Sequence, residues 1–214
     1  MRRKGCSIGE IERKLQIPRS TLSGWLKEIK LSNKQKSKLL RNSLESLGRA
    51  RKLAIKWHHL QKKNRLLKAQ NEASSVLAKI DINNRNLLEI ALALLYMGEG
   101  NKKNITSLGN TNPMILSFFI KSVEILYKID SSKIMCDIHL RSDQNANEMV
   151  KYWSRQLNLP KNRFTTVKDK RIVKSKTYSN YMGVCVVRVG NIAILRRLGF
   201  IGEGFCTKIA SLDA

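Results

Sequence analysis

An α+β fold is what this sequence predicts: a basic, all-α N-terminal part, then helices alternating with the strands of an antiparallel sheet. Three observations predict it. Helix-start signals and three- to four-residue apolar spacing fill the first part of the chain, whereas strand-like alternation begins only after Gly100. Pro18 and Pro113 both stand where helices begin, and no proline interrupts the stretch from Asn33 to Lys79. At 214 residues the chain has room for two compact units, and a hydrophobic fraction of 42% suffices for a core.

Charge narrows the partners. Forty-one Lys+Arg against sixteen Asp+Glu leave a net +25, a balance that seeks polyanions, nucleic acid first and an anionic membrane second. Ile90 to Met97 is the longest apolar run, far short of the ~20 residues that cross a bilayer, and no apolar signal core comes after Met1-Arg2-Arg3-Lys4. Secretion and membrane insertion are therefore not expected. Cys6, Cys136, Cys185 and Cys206 are widely spaced with no C-x-x-C, which signals neither zinc nor a disulfide framework and suits a reducing cytoplasm.

The first element opens on Ser7-Ile8-Gly9-Glu10, which reads as a capping box, with Ile11 and Leu15 marking one face. Gly9 inside that helix suggests close helix packing. A second helix is expected from Arg19 to about Glu28, its apolar face Leu22, Trp25 and Leu26 closing on Ile11, Leu15 and Ile17. Arg19, Ser20, Thr21, Ser23 and Lys27 then point outward. The segment SIGEIERKLQIPRSTLSGWLK resembles the helix-turn-helix of resolvase-like and repressor DNA-binding domains, and the resemblance implies that Arg19 to Lys27 reads base edges and phosphates. A helical hairpin with a solvated basic face is the alternative.

Residues 33–85 read as a basic connector of one or two long amphipathic helices, with Leu40, Leu44, Leu47, Leu53, Trp57 and Leu60 among the apolar positions. Lys and Arg crowd the other positions, either as a solvated face or along a phosphate backbone. His58 and His59 point about 100° apart on a helix and do not make a metal site.

Leu87 to Met97 is apolar nearly all round and stops at Gly98-Glu99-Gly100, so this helix is buried on several sides. Ala91, Leu94, Leu95 and Gly98 share a face on which a second copy could pack. Glu99 stands at the negative end of the helix dipole, a position that a divalent cation relieves. Beyond it, a short strand is expected within 104–110 and a helix from Pro113. Lys133 to Arg141 alternates, with Ile134, Cys136, Ile138 and Leu140 inward. A helix over 145–157, strands near 163–168 and 182–189, and a last helix over 192–198 complete the order.

The run LEIALALLYMGEGN resembles the LAGLIDADG helix of homing endonucleases, with Glu where Asp is more frequent. That resemblance covers roughly 86–205. It implies an α/β saddle whose sheet lies along duplex DNA, Gly98 and Gly100 as the turn, and Glu99 as the catalytic and metal-binding acid for Mg²⁺ or Mn²⁺. The loop KDKRIVKSK supplies Lys168, Lys170, Arg171, Lys174 and Lys176 for phosphates, or is an ordinary hairpin tip. Gly202-Glu203-Gly204 repeats the tripeptide and is expected to be a C-terminal turn. Lys102, His139 and Arg188 are candidates for positioning water or meeting transition-state charge.

Three parts are thus expected: a helix-turn-helix over 1–32, the connector over 33–85 and a LAGLIDADG-like endonuclease domain over 86–214. The leading expectation is a metal-dependent, site-specific DNA endonuclease acting as a homodimer, a nucleoid-associated cytoplasmic hydrolase with no small-molecule substrate implied. A non-catalytic DNA-binding transcription regulator on the same fold is the alternative, and a role on structured RNA is a third.

Overall fold

The computed structural model describes residues 1–169 and 175–212. It is mixed α+β and divides into two compact units, Met1–Ile80 and Asp81–Ala214. The division falls at 80/81, where a boundary at 85/86 was expected. Arg85 belongs to the second unit because its guanidinium donates to the carbonyls of Ile125 and Leu126 at 3.2 and 3.0 Å, and Asn84 caps the helix it opens. Within the first unit, the N-terminal residues touch the start of the long helix at Asn33. Gln35 donates to the Arg3 carbonyl at 3.1 Å and packs against Gly5, whose φ of +82° is one that glycine adopts without strain.

Helices α1 (Ile8–Leu15) and α2 (Arg19–Trp25) form the expected short pair. The Ser7 capping box is complete: Glu10 N donates to Ser7 Oγ at 3.1 Å and Ser7 N to Glu10 Oε2 at 2.6 Å. These contacts hold the Glu10 carboxyl below its ordinary value. Ile11 and Leu22 are each 2% exposed and close the pair. Trp25 is 68% exposed and Leu15 50%, so the expected apolar face is narrower than the sequence suggested, because α2 ends at Trp25 and leaves that ring outside. Nothing lies within 4 Å of a Cβ built on Gly9, so close packing does not explain it.

Helix α3 (Asn33–Leu77) is a single 45-residue helix, roughly 67 Å long at ~1.5 Å per residue. None of its side chains is buried. The expected amphipathic face is absent for a geometrical reason: Leu40, Leu44 and Leu47 share one side, whereas Leu53, Trp57, Leu60 and Leu67 share nearly the opposite one.

The second unit runs α4 (Arg85–Glu99), β1 (Ser107–Asn110), α5 (Pro113–Tyr127), β2 (Met135–Leu140), α6 (Ala146–Leu157), β3 (Phe164–Lys168), β4 (Val184–Arg188) and α7 (Ile192–Ala210). The sheet order is β1-β4-β2-β3. β1 and β2 each pair antiparallel with β4, but β2 and β3 pair parallel, which corrects the expected antiparallel sheet. Helix α6 carries the chain back between β2 and β3, a crossover that a parallel pair requires.

One sheet face holds the core. Ile134, Cys136, Ile138 and Leu140 point inward as expected, with Leu108, Cys185 and Val187 beside them. Phe119 of α5, Trp153 of α6, Leu92 of α4 and Leu198 of α7 pack into the same cluster. The opposite face presents Asp137, His139, Arg188, Thr165 and Val167, half-buried or exposed.

Helix α7 overturns one expectation. Gly202-Glu203-Gly204 is not a turn but lies within this helix, and a Cβ on Gly202 would come 2.2 Å from Met97 Sδ of α4. The glycine is there because α4 and α7 pack against each other. Arg197, a charge that the interior of a helix pair would exclude, sits at its rim: Nε donates to Glu89 Oε1 at 2.6 Å and Nη2 to Oε2 at 3.1 Å. No helix among the described residues is long and apolar enough to cross a membrane.

Candidate nucleic-acid interface

The first unit carries 21 Lys+Arg against 5 Asp+Glu, and the second 20 against 11. In the first unit, charge is displayed on helices that bury almost nothing. Glu12 Oε1 accepts from Arg19 N at 3.0 Å, which fixes the start of α2 against α1. From that start Arg19, Ser20 and Ser23 are exposed and Thr21 is half-buried; Lys27 is exposed but lies in the turn after α2. Arg19 also lines a groove of about 680 Å³ with Arg2, Arg13 and Arg49, where Glu10 and Glu45 partly balance the charge.

In the second unit, the end of α4 is secured by Tyr96. Its hydroxyl donates to the Asn101 carbonyl at 2.6 Å and accepts from Ser107 N at 3.2 Å, and burial pushes its pKa up. A Cβ on Gly100 would sit 2.6 Å from the Tyr96 ring, so that position needs glycine. Gly100 caps α4 in an extended conformation, while Gly98 is helical with open space around it. The expected glycine turn is therefore Gly100 alone.

Glu99 is exposed at this helix end. Its carboxylate accepts one long hydrogen bond, 3.4 Å, from Asn110 Nδ2, and pairs with no cation among the described residues. Lys102 Nζ donates instead to the Gly100 carbonyl at 3.2 Å. Among the described residues no group of three His, Cys, Asp or Glu gathers to hold a metal ion. On α4, Ala91, Leu94 and Gly98 are exposed, whereas Leu95 packs toward the core.

The other sheet candidates are engaged. Arg188 Nε lies 2.5 Å from Asp137 Oδ2 and its Nη2 donates to Oδ1 at 2.9 Å, while Thr165 Oγ1 donates to the same carboxylate. Arg188 is thus committed to Asp137. Asp143 accepts from Thr177 N and Oγ1 at 2.8 and 2.7 Å, contacts that lower its pKa. His139 is exposed, as are Lys168 at the end of β3 and Lys176. Lys170, Arg171 and Lys174 lie outside the described residues.

Sequence reasoning missed three positioning residues. Asn110 faces Glu99, Glu89 joins Tyr127 to Arg197, and Gln144 ties two loops together; none carried a local signal, because each partner is distant in sequence except within the Gln144 turn. Compared with known proteins, the chain matches no family model, no curated protein and no solved structure.

Proposed function

We propose that the protein binds duplex DNA through both units, α1 and α2 acting as a helix-turn-helix and the second unit as a LAGLIDADG-like platform. The observation that carries this reading is the first unit: a net +16 on helices that expose their basic side chains and bury only Ile11 and Leu22. Such a surface is adapted to phosphates, and it also exposes apolar side chains such as Trp25, Leu40, Leu53 and Trp57. Arg19, Ser20, Thr21, Ser23 and Lys27 read the groove, and Lys168 and Lys176, with Lys170, Arg171 and Lys174, meet the backbone. The exposed Ala91, Leu94 and Gly98 stripe of α4 is where a second copy packs, giving a homodimer. Electrophoretic shift and fluorescence anisotropy across a salt series test it. The expected log–log slope corresponds to roughly 6–10 phosphates at about −0.9 each, and a slope near −2 overturns the two-unit reading. Arg19→Ala is expected to relax sequence preference; equal loss on specific and random duplexes removes the recognition role of α2.

Strand cleavage is the second reading, favoured by the exposed Glu99, which pairs with no cation among the described residues. One carboxylate does not make a metal site, so a single chain does not fit Mg²⁺ or Mn²⁺ on its own, and no step is assigned to the ion. The homodimer would bring a second Glu99 and the DNA its phosphates, the ligand set that Mg²⁺ ordinarily takes. Glu99→Gln keeps the side-chain shape and removes the charge, so a nuclease loses cutting and retains DNA affinity, whereas a transcription regulator cuts neither before nor after.

A further inference from the structure

The carboxyl ends of the parallel strands β2 and β3 open onto a cavity of about 480 Å³, the size of small-ligand sites generally. His139, Arg141, Lys168 and Tyr181 line it, with Val167 as an apolar wall and Asp169 at its edge. Its walls are built rather than incidental. Gln144, 8% exposed, accepts from Arg141 N at 3.0 Å through Oε1 and donates to the Tyr181 carbonyl at 2.7 Å through Nε2, so one buried amide holds both lips. The Arg141 guanidinium lies over the Tyr181 ring, 5.6 Å from its centroid, which restrains a cation that would otherwise sweep through solvent. Asp169 N donates to the Leu140 carbonyl at 2.8 Å and closes the strand ends. Gly183, at φ +76°, lets its loop approach: a Cβ there would lie 2.8 Å from the His139 carbonyl oxygen.

We propose that this cavity is a phosphate seat, filled by the phosphate of a nucleotide. Arg141 offers a planar fork of donors, Lys168 a point charge and His139 a ring donor, so among the described lining residues two permanent cations and an imidazole stand with the carboxylate of Asp169, and Asp143 lies close enough to act on Arg141. A phosphate uses all three donors at once, and a neutral or cationic ligand uses none of their charge. The seat rests on the nucleic-acid reading for a duplex as the source of the phosphate; a free mononucleotide offers the same group.

The test uses the full chain and two probes, a duplex titrated across a salt series and AMP titrated by calorimetry. Arg141→Ala with Lys168→Ala is expected to lower the magnitude of the duplex salt slope by about two contacts' worth, near 1.8, and to weaken binding at least tenfold at low salt. Gln144→Ala, which removes no charge, is expected to lower the slope in the same direction because Arg141 loses its hold. Both affected side chains are exposed, so an unchanged melting curve for the double variant separates binding from folding. If wild-type protein binds no duplex but binds AMP saturably, and the double variant does not, the seat stands and the nucleic-acid reading fails. If duplex slope and AMP heat are the same in wild type and double variant, the seat is overturned whether or not DNA binds.

Discussion

The two units are held by different physics. The second buries a continuous apolar cluster between one sheet face and four helices, whereas the first buries only Ile11 and Leu22 and otherwise relies on caps and helix propensity. Burial fixes tertiary geometry; caps fix only where a helix begins. The contrast assigns rigidity to the unit that carries Glu99 and the strand-end cavity, and leaves the charge-rich unit as a display surface whose folding gains little from its own side chains.

The largest expected effect breaks the comparison directly. Trp153 is fully buried and its Nε1 donates to the Met182 carbonyl at 2.7 Å, so Trp153→Ala is expected to cost about 3–5 kcal/mol in denaturant unfolding. Leu53→Ala on α3, at 67% exposure, is expected to stay within about 0.5 kcal/mol. A comparable cost at Leu53 would mean that α3 is covered in solution, and the contrast between the units would fall.

Legibility in the sequence divides along the same line. Local signals were legible: the Ser7 box, the Asn112-Pro113 start of α5, and the alternation of Ile134 to Leu140 each depend on neighbours a few residues away. The parallel pairing of β2 and β3 was not, since strand direction is set by which way α6 returns the chain and no residue of either strand encodes it. Helix α7 extends well past the expected end at 198, and Gly202-Glu203-Gly204, expected to be a turn, stays helical because Gly202 packs against Met97, 105 positions away. At the site, Glu99 was legible as an odd carboxylate, but the capture of Asp137 by Arg188 required a register across β2 and β4.

A smaller effect probes each unit's own mode of stabilisation. Ser32 caps α3 by accepting from Gln35 N at 3.3 Å while Gln35 Oε1 accepts from Ser32 N at 3.0 Å. Ser32→Ala is expected to cost about 1 kcal/mol and to lower helical circular dichroism at the start of α3 without moving the main unfolding transition of the second unit. A shift of both transitions together would show that the units unfold as one, which the contrast forbids.

Acid sharpens the comparison from the other side. Arg197 hydrogen-bonds to the Glu89 carboxylate and holds its pKa below the ordinary glutamate value, with Tyr127 donating to Oε1 at 2.9 Å as well. A carboxyl depressed on folding adds stability above its unfolded pKa, and that stability is lost as pH falls through the ordinary glutamate range to the folded value. Glu89→Gln should therefore flatten the acid limb of the second unit's stability curve and leave the first unit's unchanged.

The last comparison includes an effect of the opposite sign. Gly48 and Gly202 are both inside helices, yet a Cβ on Gly48 meets nothing within 4 Å and one on Gly202 meets Met97. Gly48→Ala therefore gains helix propensity with no steric cost, and is expected to stabilise the first unit by up to about 1 kcal/mol. Gly202→Leu cannot be absorbed by moving the Met97 thioether alone and is expected to destabilise the second unit by about 1–3 kcal/mol. Thermal unfolding of the two variants, followed by helical signal and by the fluorescence of Trp153 with Trp25 and Trp57 replaced by Phe, reads both. Stabilisation by Gly48→Ala is the sharper half of the test: a loss there would require something to pack against α3 at residue 48, and the first unit would then no longer be the one held by propensity and caps.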